Sequence, residues 1–454
     1  MIKIYCDDVV NAFTNCEQIT GIYTYGELVW PIGPTPPGVW YVSWTPSDIT
    51  GSFTMWGQSY RLEDYSGFYS WSGSTGSAVV TQSAFRNIDS MVNMETNVLS
   101  LSAGAFRGND GLLTASASRC KYVGSYVFEN CYSLQTVNIY KCRYIEQEAF
   151  RHCESLQSIT LLKCSMIGSR AFSYCTSLSF ANMSRLISTS YEAFVNCTAL
   201  NSVIVPILEY LGQGTFRNCT SLESIDLPVC SYVGASGFGS CTSLSDVSLP
   251  VCESVGGAAF SGCTSLESID LPACSYLGGQ AFQDCTSLTQ VSLPVCEYIG
   301  ASAFYNCVSL PEVSFPLCSS IGTGTFQNCT SLSKVNLPLC EYVGHSAFKG
   351  CLSLESIDIP LCSYIGMSAF EGCTALTKIN LPVCRSIGQL AFLSTRLMEI
   401  TLGWSSVVML QDSTAFAGTP IWNHYGSIYV PSSLVTSYKQ AWLWWSSMIF
   451  PIPE

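Results

Sequence analysis

Twenty-five cysteines stand in 454 residues, and thiols in that number invite three chemistries: disulfide cross-linking, metal ligation, or plain packing of the neutral S–H group. Their spacing is even. From Cys120 they run Cys131, Cys142, Cys153, Cys164 and Cys175, each eleven residues on. Two interleaved series emerge with a period of 22. One is unbroken from Cys131 to Cys373; the other runs from Cys120 to Cys384, with Leu186 and Leu208 standing in at two places. In-register neighbours on a stacked fold come within the Cα separation a disulfide needs. The total is odd, however, and the two leucines have no matching loss in the other series. Metal sites call for clustered ligands such as C-x-x-C with His, and no C-x-x-C occurs. Exchange with leucine favours cysteine as a small, adaptable, buried hydrophobe. Reduced thiols also agree with the opening Met1–Asp8, which has no basic segment leading into an apolar run and reads as lacking a signal peptide.

Other reactive groups are few. His152, His345 and His424 have no acid–nucleophile partner nearby in sequence, and the first two fall at variable positions expected on the surface. Glu63 and Asp64 are adjacent carboxylates, but neighbours on a strand point to opposite faces, so the pair reads as a solvated turn. No G-x-S-x-G, Walker or H-E-x-x-H motif occurs. The expectation is a protein that is not an enzyme and holds no cofactor or metal; a glycan hydrolase acting through Glu63 and Asp64 is the reserve reading. Net charge is −13, which argues against a nucleic-acid partner. Charged residues make up 11%, against about 25% in ordinary soluble chains. Hydrophobic residues reach 48%, which excludes a disordered chain. No run approaches the roughly 18 apolar residues of a membrane span, so no membrane insertion is expected.

What positions these residues is a repeat. Phenylalanine recurs every 22 residues from Phe106 to Phe392, leucine from Leu134 to Leu376, glycine from Gly212 to Gly388 and proline from Pro206 to Pro382. A fixed period in this range marks a solenoid, because one coil cannot bury its own apolar face and stacked coils can. In the coil that begins at Cys219, Leu222, Ile225 and Leu227 follow the L-x-x-I-x-L spacing of a strand. Pro228 ends that strand for want of an N–H, Gly234 is read as a turn of positive φ, and Phe238 re-enters the core. At about 4.8 Å per coil, fourteen coils make a rod or arc on the order of 70 Å long. The octapeptide Ser-Leu-Glu-Ser-Ile-Asp-Leu-Pro at 221–228 returns at 265–272 and nearly again at 353–360, which indicates growth by two-coil blocks.

The unit C-T-S-L-x-x-I-x-L-P-x-C-x-x-I-G-x-x-A-F resembles the BspA-type (Treponema-type) leucine-rich repeat family over about residues 83–416. That resemblance implies a β-rich, right-handed solenoid with short parallel strands on a concave face and little or no helix opposite. It also implies surface or adhesive proteins that bind other macromolecules. Four regions follow: a β-hairpin and Pro-rich spacer at 1–38, a small β-rich module at 39–82, the solenoid at 83–416, and a cap at 417–454. The cap is expected to hold a last strand at 426–431 and a short helix from Pro431 to Trp445, with Leu434, Tyr438, Ala441 and Trp445 on one side. It resembles the closing unit of bacterial and phage members of the family. The small module is expected to have strands at Val39–Trp44, Ser52–Trp56 and Phe68–Trp71. All ten tryptophans lie outside the strict 22-residue repeats, and the C-terminal cluster, Trp404 with the four of the cap, is read as packing.

Two surfaces are candidates for function. The segment with Ile22, Tyr23, Tyr25, Leu28, Val29 and Trp30, ahead of a proline-dense spacer, is similar to anchoring segments of gut phage tail proteins and is read as an assembly anchor. On the concave side the outward residues form a polar, mildly acidic strip for a host glycan or protein: Glu223, Asp226, Glu267, Asp270, Glu355 and Asp358, with Phe180 and Ile204 as apolar exceptions. The expected function is a virion-associated tail protein, made in a bacterial cytoplasm, that joins other tail proteins through its N-terminus and a host surface through its solenoid. The alternatives are a secreted or cell-surface bacterial adhesin and an intracellular protein-binding scaffold; a homo-oligomer is left open. Asn196 and Asn218 match glycosylation sequons only because the repeat recurs.

Overall fold

The computed structural model describes residues 23–24, 27–28, 51–55, 58–61, 69–72, 77–80, 85–86, 91–96 and 98–453. Each coil has three sides. In residues 219–240 these are a three-residue strand, Ser224–Asp226, a two-residue strand, Tyr232–Val233, and a run of turns over 235–240. Each strand lies parallel to its counterpart 22 residues on, Ser224 against Asp246 and Tyr232 against Ser254. Parallel strands need a long crossover, and the remainder of the coil supplies it. The two-residue ladder runs from Ser100–Leu101 to Met409–Leu410. The turn side is also stitched coil to coil: Ser236 N–H donates to Gly257 O at 2.9 Å and Phe238 N–H to Ala259 O at 2.7 Å. All three sides therefore satisfy their backbone through the next coil, which fixes the rise.

The interior follows from that rise. Leu222, Leu227, Cys230, Val233 and Phe238 are fully buried and Ile225 nearly so. The phenylalanines form a stack of sixteen rings, from Phe85 to Phe416, with centroids 5.0–5.6 Å apart. The solenoid thus has about sixteen coils rather than the fourteen read from strict periodicity. The extra rings sit 21 and 24 residues from their neighbours, off the exact period. These spacings suit offset stacking.

The cysteines do more than fill space. All 23 cysteines among the described residues are free and buried. In the unbroken series each thiol donates across one coil boundary to the carbonyl of a phenylalanine 25 residues earlier: Cys131 to Phe106 at 3.2 Å, Cys263 to Phe238 at 3.1 Å, Cys373 to Phe348 at 3.0 Å. In the broken series the thiol donates within its own coil, two residues on, as from Cys120 to Tyr122 O at 3.1 Å and from Cys274 to Tyr276 O at 3.2 Å. Leucine replaces cysteine only in the second kind. At the start of the first series Asn109 takes the place of cysteine, and its Nδ2 donates to Phe85 O at 2.7 Å. The position facing the phenylalanine carbonyl asks for a donor, which corrects the reading of both series as simple hydrophobes.

Gly234 needs a different reason from the one expected. Its φ is not positive; a Cβ there would sit 2.6 Å from Gln213 N and from Gly212 C. The glycine row is where one backbone passes hard against the previous coil. Glu146 and Ser190 interrupt the row only where Gly124, Gly168 and Gly212 flank them. Positive φ occurs instead on the turn side, at two positions per coil: 53° at Ser236 and 59° at Ser240, for instance. Asn196 and Asn218 occupy the second of these, where asparagine is tolerated, and Asn218 Nδ2 donates to Asn196 Oδ1 at 2.8 Å.

Both ladders end in added strands. Gly51–Met55 pairs antiparallel with Gln58–Arg61 and with Met91–Thr96, and the latter lies parallel to Thr114–Ala117. Tyr69–Ser72 pairs antiparallel with Ser77–Val80, which lies parallel to Ser100–Leu101. The expected strand at Val39–Trp44 lies outside the described residues. Tyr23–Thr24 pairs antiparallel with Glu27–Leu28. At the other end Ser427–Val430 forms the expected strand, but the helix is shorter, Val435–Ala441, with 3₁₀ turns at Ser432–Leu434 and Leu443–Met448. A further strand, Ile449–Pro451, pairs parallel with 428–430. The change from α to 3₁₀ turns Trp442 inward in place of Ala441, which is exposed. Tyr438 is fully buried; its hydroxyl accepts Val408 N–H at 3.0 Å and donates to Ser406 O at 3.3 Å.

The two thiol series should therefore respond differently to mutation. Cys263→Ala is expected to cost about 1–2 kcal/mol, at the low end of core truncations. Cys274→Leu, which copies Leu186 and Leu208, should cost less than about 1 kcal/mol, whereas Cys263→Leu should cost about 2–3 kcal/mol through overpacking and a lost donor. Chemical denaturation of the three variants checks this, and equal costs for the two leucine variants would remove the distinction.

Candidate functional site

The thiols are placed for neither nucleophilic nor metal chemistry. Burial pushes Cys131 and Cys263 up to about 12 and Cys120 up to about 11, since a thiolate would lose its water. Among the described residues no group of three or more His, Cys, Asp or Glu side chains is placed to hold a metal. His152 is half-buried, stacks on Tyr174 at 4.6 Å and has Nδ1 3.3 Å from Glu154 Oε1. His345, also half-buried, accepts Met367 N–H on Nδ1 at 2.9 Å, and His424 is exposed. Glu63 and Asp64 lie outside the described residues. The carboxylates buried on the turn side hold coils together: Glu129 meets Arg107 at 2.6 Å and Arg151 at 3.6 Å, and Glu192 bridges Arg170 and Arg217.

What remains is the outside of the two ladders. On the three-residue ladder Glu223 is exposed just before its strand, and Ser224 and Asp226 flank inward Ile225. Glu267, Asp270, Glu355 and Asp358 repeat this placement. The eight strip residues fall into three groups. Phe180 is half-buried and Ile204 is 41% exposed; register sets Phe180 against Ser202 and Asn182 against Ile204, so the two are diagonal neighbours. Glu223, Asp226, Glu267 and Asp270 share three successive coils with Asp246, which the sequence reading passed over. Glu355 and Asp358 stand four coils further on, with Lys334 and Lys378 in the coils on either side. Asp246, Glu312, Lys334 and Lys378 share the middle outward row with Phe180 and escape a reading that takes the first and third x of L-x-x-I-x-L as the polar face.

The two-residue ladder carries a face the sequence reading missed altogether. Its outward residue is Tyr122, Tyr144, Tyr210, Tyr232, Tyr276, Tyr298, Tyr342 or Tyr364, with Met or Ser at the other coils. Three pairs stack, Tyr210–Tyr232 at 4.7 Å, Tyr276–Tyr298 at 5.0 Å and Tyr342–Tyr364 at 4.8 Å. Tyr210, Tyr276, Tyr298 and Tyr342 are 40–48% exposed. The signal was present as tyrosine two residues after alternate-series cysteines. Near the N-terminal end Glu146, standing in the glycine row, takes the Tyr122 hydroxyl and accepts from Ser125 N–H at 3.1 Å and Oγ at 2.8 Å. At the C-terminal end a cleft of about 670 Å³ is lined by Met409, Leu410, Trp422, Trp442 and Trp444, with no ionisable group. Trp442 and Trp445 are buried against Phe416, as expected of cap packing, whereas Trp444 is 63% exposed.

Comparison with known proteins agrees with this architecture. The family model for the BspA type leucine rich repeat region matches residues 78–201, 187–310 and 297–421. A leucine-rich repeat protein from Bacteroides ovatus is 28% identical, with a TM-score of 0.62 over 76% of this chain and 97% of its own. A leucine rich cell surface protein from Faecalibacterium prausnitzii is 20% identical, with a TM-score of 0.39 over 77% of this chain and 90% of its own. No curated protein matches the chain.

The raised thiols set the alkaline limit of the fold. The thiols that burial raises have folded-state values above the ordinary 9, for example about 12 at Cys131, so the folded chain keeps protons that the unfolded chain releases. Stability is then full below pH 9 and lost as pH rises toward 12, each raised thiol contributing up to about 1.4 kcal/mol per pH unit. Thermal melts should be level up to about pH 8.5 and fall steeply above pH 9. Thiol titration at pH 8 should find few reactive groups in native protein and most of the 25 in denaturant; ten or more disulfides would contradict the free-thiol interior.

Proposed function

The chain belongs to the BspA-type leucine rich repeat family, and from that membership we propose a non-enzymatic binding protein whose rod presents its ladder faces to a macromolecular partner. One observation carries the reading. Interior positions repeat coil after coil, while the outward row of the three-residue ladder changes at nearly every step: Phe180, Ser202, Ser224, Asp246, Ser268, Gln290, Glu312, Lys334. Stacking dictates the first set and leaves the second free to carry specificity. The proposed ligand strip comprises Phe180, Ile204, Glu223, Asp226, Glu267, Asp270, Glu355 and Asp358, for a surface glycan or protein. Stacked repeats create the extended surfaces that solenoid proteins use for binding.

Two settings for such a rod differ in what the first 38 residues do. On a bacterial surface, the setting the family favours, the rod is an adhesin. In a phage tail, Ile22, Tyr23, Tyr25, Leu28, Val29 and Trp30 would join other virion proteins, and the antiparallel pairing of Tyr23 with Leu28 is the observation in its favour. An isolated pair that short needs a larger assembly. Co-purification of the chain with virions or with cell envelopes of its source separates the two.

The binding reading is tested with the full chain on arrays of surface glycans and proteins. A specific ligand is expected, and Phe180→Ser with Ile204→Ser, or Glu223→Gln with Asp226→Asn, should weaken it about tenfold without changing the melting temperature. Glycan hydrolysis that disappears in Glu63→Gln/Asp64→Asn would replace this reading with an enzyme.

A further inference from the structure

The tyrosine ladder has a spacing that the fold alone does not require. From coil to coil its outward residue reads Tyr210, Tyr232, Ser254, Tyr276, Tyr298, Ser320, Tyr342, Tyr364, Ser386, a period of 66. The residue before it reads Glu209, Ser231, Glu253, Ser275, Glu297, Ser319, Glu341, Ser363, a period of 44. Copying of two-coil blocks accounts for 44. It does not account for 66, because under it Tyr210 and Ser254 would match.

The geometry makes slots. Ser254 lies in register between Tyr232 and Tyr276, and Ser320 between Tyr298 and Tyr342. Two ladder steps set the facing rings roughly 9–10 Å apart. A cation midway between them lies about 5 Å from each ring, inside the roughly 6 Å range of a cation–π contact. Carboxylates stand beside each slot: Glu253 precedes Ser254, and Glu297 and Glu341 precede the two tyrosines around Ser320. All three are exposed. Between Arg217 and Lys334 the chain has nine carboxylates and no Lys or Arg, so no base of the chain's own competes over this stretch.

We propose that the two-residue ladder binds an extended, Lys- or Arg-bearing segment of a partner protein, with cationic side chains seated in the slots floored by Ser254 and Ser320. Ring faces and carboxylates together select a cation over a neutral sugar or an aromatic peptide. This rests on the binding-protein reading but uses a different face from the Phe180–Asp358 strip.

The test is fluorescence anisotropy at low salt with the full chain and a labelled peptide of four Lys-Ser-Thr-Ser units, which spaces its lysines at about 13 Å when extended. The matching peptide of Gln-Ser-Thr-Ser units is the neutral control. The lysine peptide should bind at least tenfold more tightly. Tyr232→Ser/Tyr276→Ser, which installs the residue the chain already uses at Ser254, should weaken binding about threefold to fivefold, with the dependence on salt unchanged. Tyr232→Phe/Tyr276→Phe should retain it, and Glu253→Gln should lower both affinity and salt dependence. Equal binding of the two peptides overturns the proposal, as does a serine variant that binds like the parent. Tighter binding of a soluble neutral β-glucan would assign the face to sugars instead. If the peptide fails while strip variants still lose their array ligand, only this inference falls; if neither face binds anything, both do.

Discussion

The structure depends on one distance, the rise from coil to coil. Parallel strands stack about 4.8 Å apart because N–H and C=O groups must meet, and here all three sides of the coil are bonded to the next. Every other feature adapts to that rise. Phenylalanine rings can lie flat on one another at 5.0–5.6 Å. Glycine is required where the backbone passes so close that a Cβ at residue 300 would lie 2.3 Å from Gly279 N. Cysteine suits the remaining corner: it is small enough for the spacing and still a donor for a carbonyl that would otherwise be turned into the core. Leucine at that corner fills the volume but cannot donate, and it occurs only where the bond would have been local.

The same distance explains which parts of the fold were legible in the sequence. A side chain that must repeat because the coil repeats is visible as a period, so Leu222, Ile225, Leu227 and Phe238 could be assigned inward without coordinates. The physical reason for a recurring residue was less visible. A glycine every 22 residues is equally consistent with a positive φ or a close approach, and only the geometry around Gly234 decides for the second. The thiol donors were hidden because hydrogen bonding and packing both ask for a small residue. The ends were legible in outline only, since there the period breaks. Phe416 arrives 24 residues after Phe392 yet still stacks at 5.6 Å, and the turn to 3₁₀ geometry that brings Trp442 inward has no signature in spacing.

The candidate faces were harder to read for the opposite reason. Outward positions are not constrained to repeat, so spacing alone does not say which variable residues, from Glu223 to Asp358, share a side. Register adds a grouping: Asp246 lies between the Glu223 and Glu267 coils, and Glu355 stands four coils further along. The tyrosine face was overlooked because recurrence had been assigned to the core, where recurrence has a structural cause. Tyr276, at 46% exposed, shows that a residue can recur on the outside as well.

Energetics then separate a recurring outward residue from a recurring inward one. A buried phenylalanine that repeats is held by the core on both sides, and its loss costs several kcal/mol. An exposed tyrosine pair on a sheet gains about 0.2–1 kcal/mol as a cross-strand contact, and the serine coils at 254, 320 and 386 forgo even that. Stability therefore favours an unbroken tyrosine ladder over one interrupted every third coil. The interruptions open the ring faces that stacking would cover. A single such contact is weak, but three coils per period set successive slots about 14 Å apart on a rigid rod, and a ligand that reaches one slot meets the next at a high effective concentration. The fold that fixes the rise thus also fixes the spacing at which a partner must present its charges.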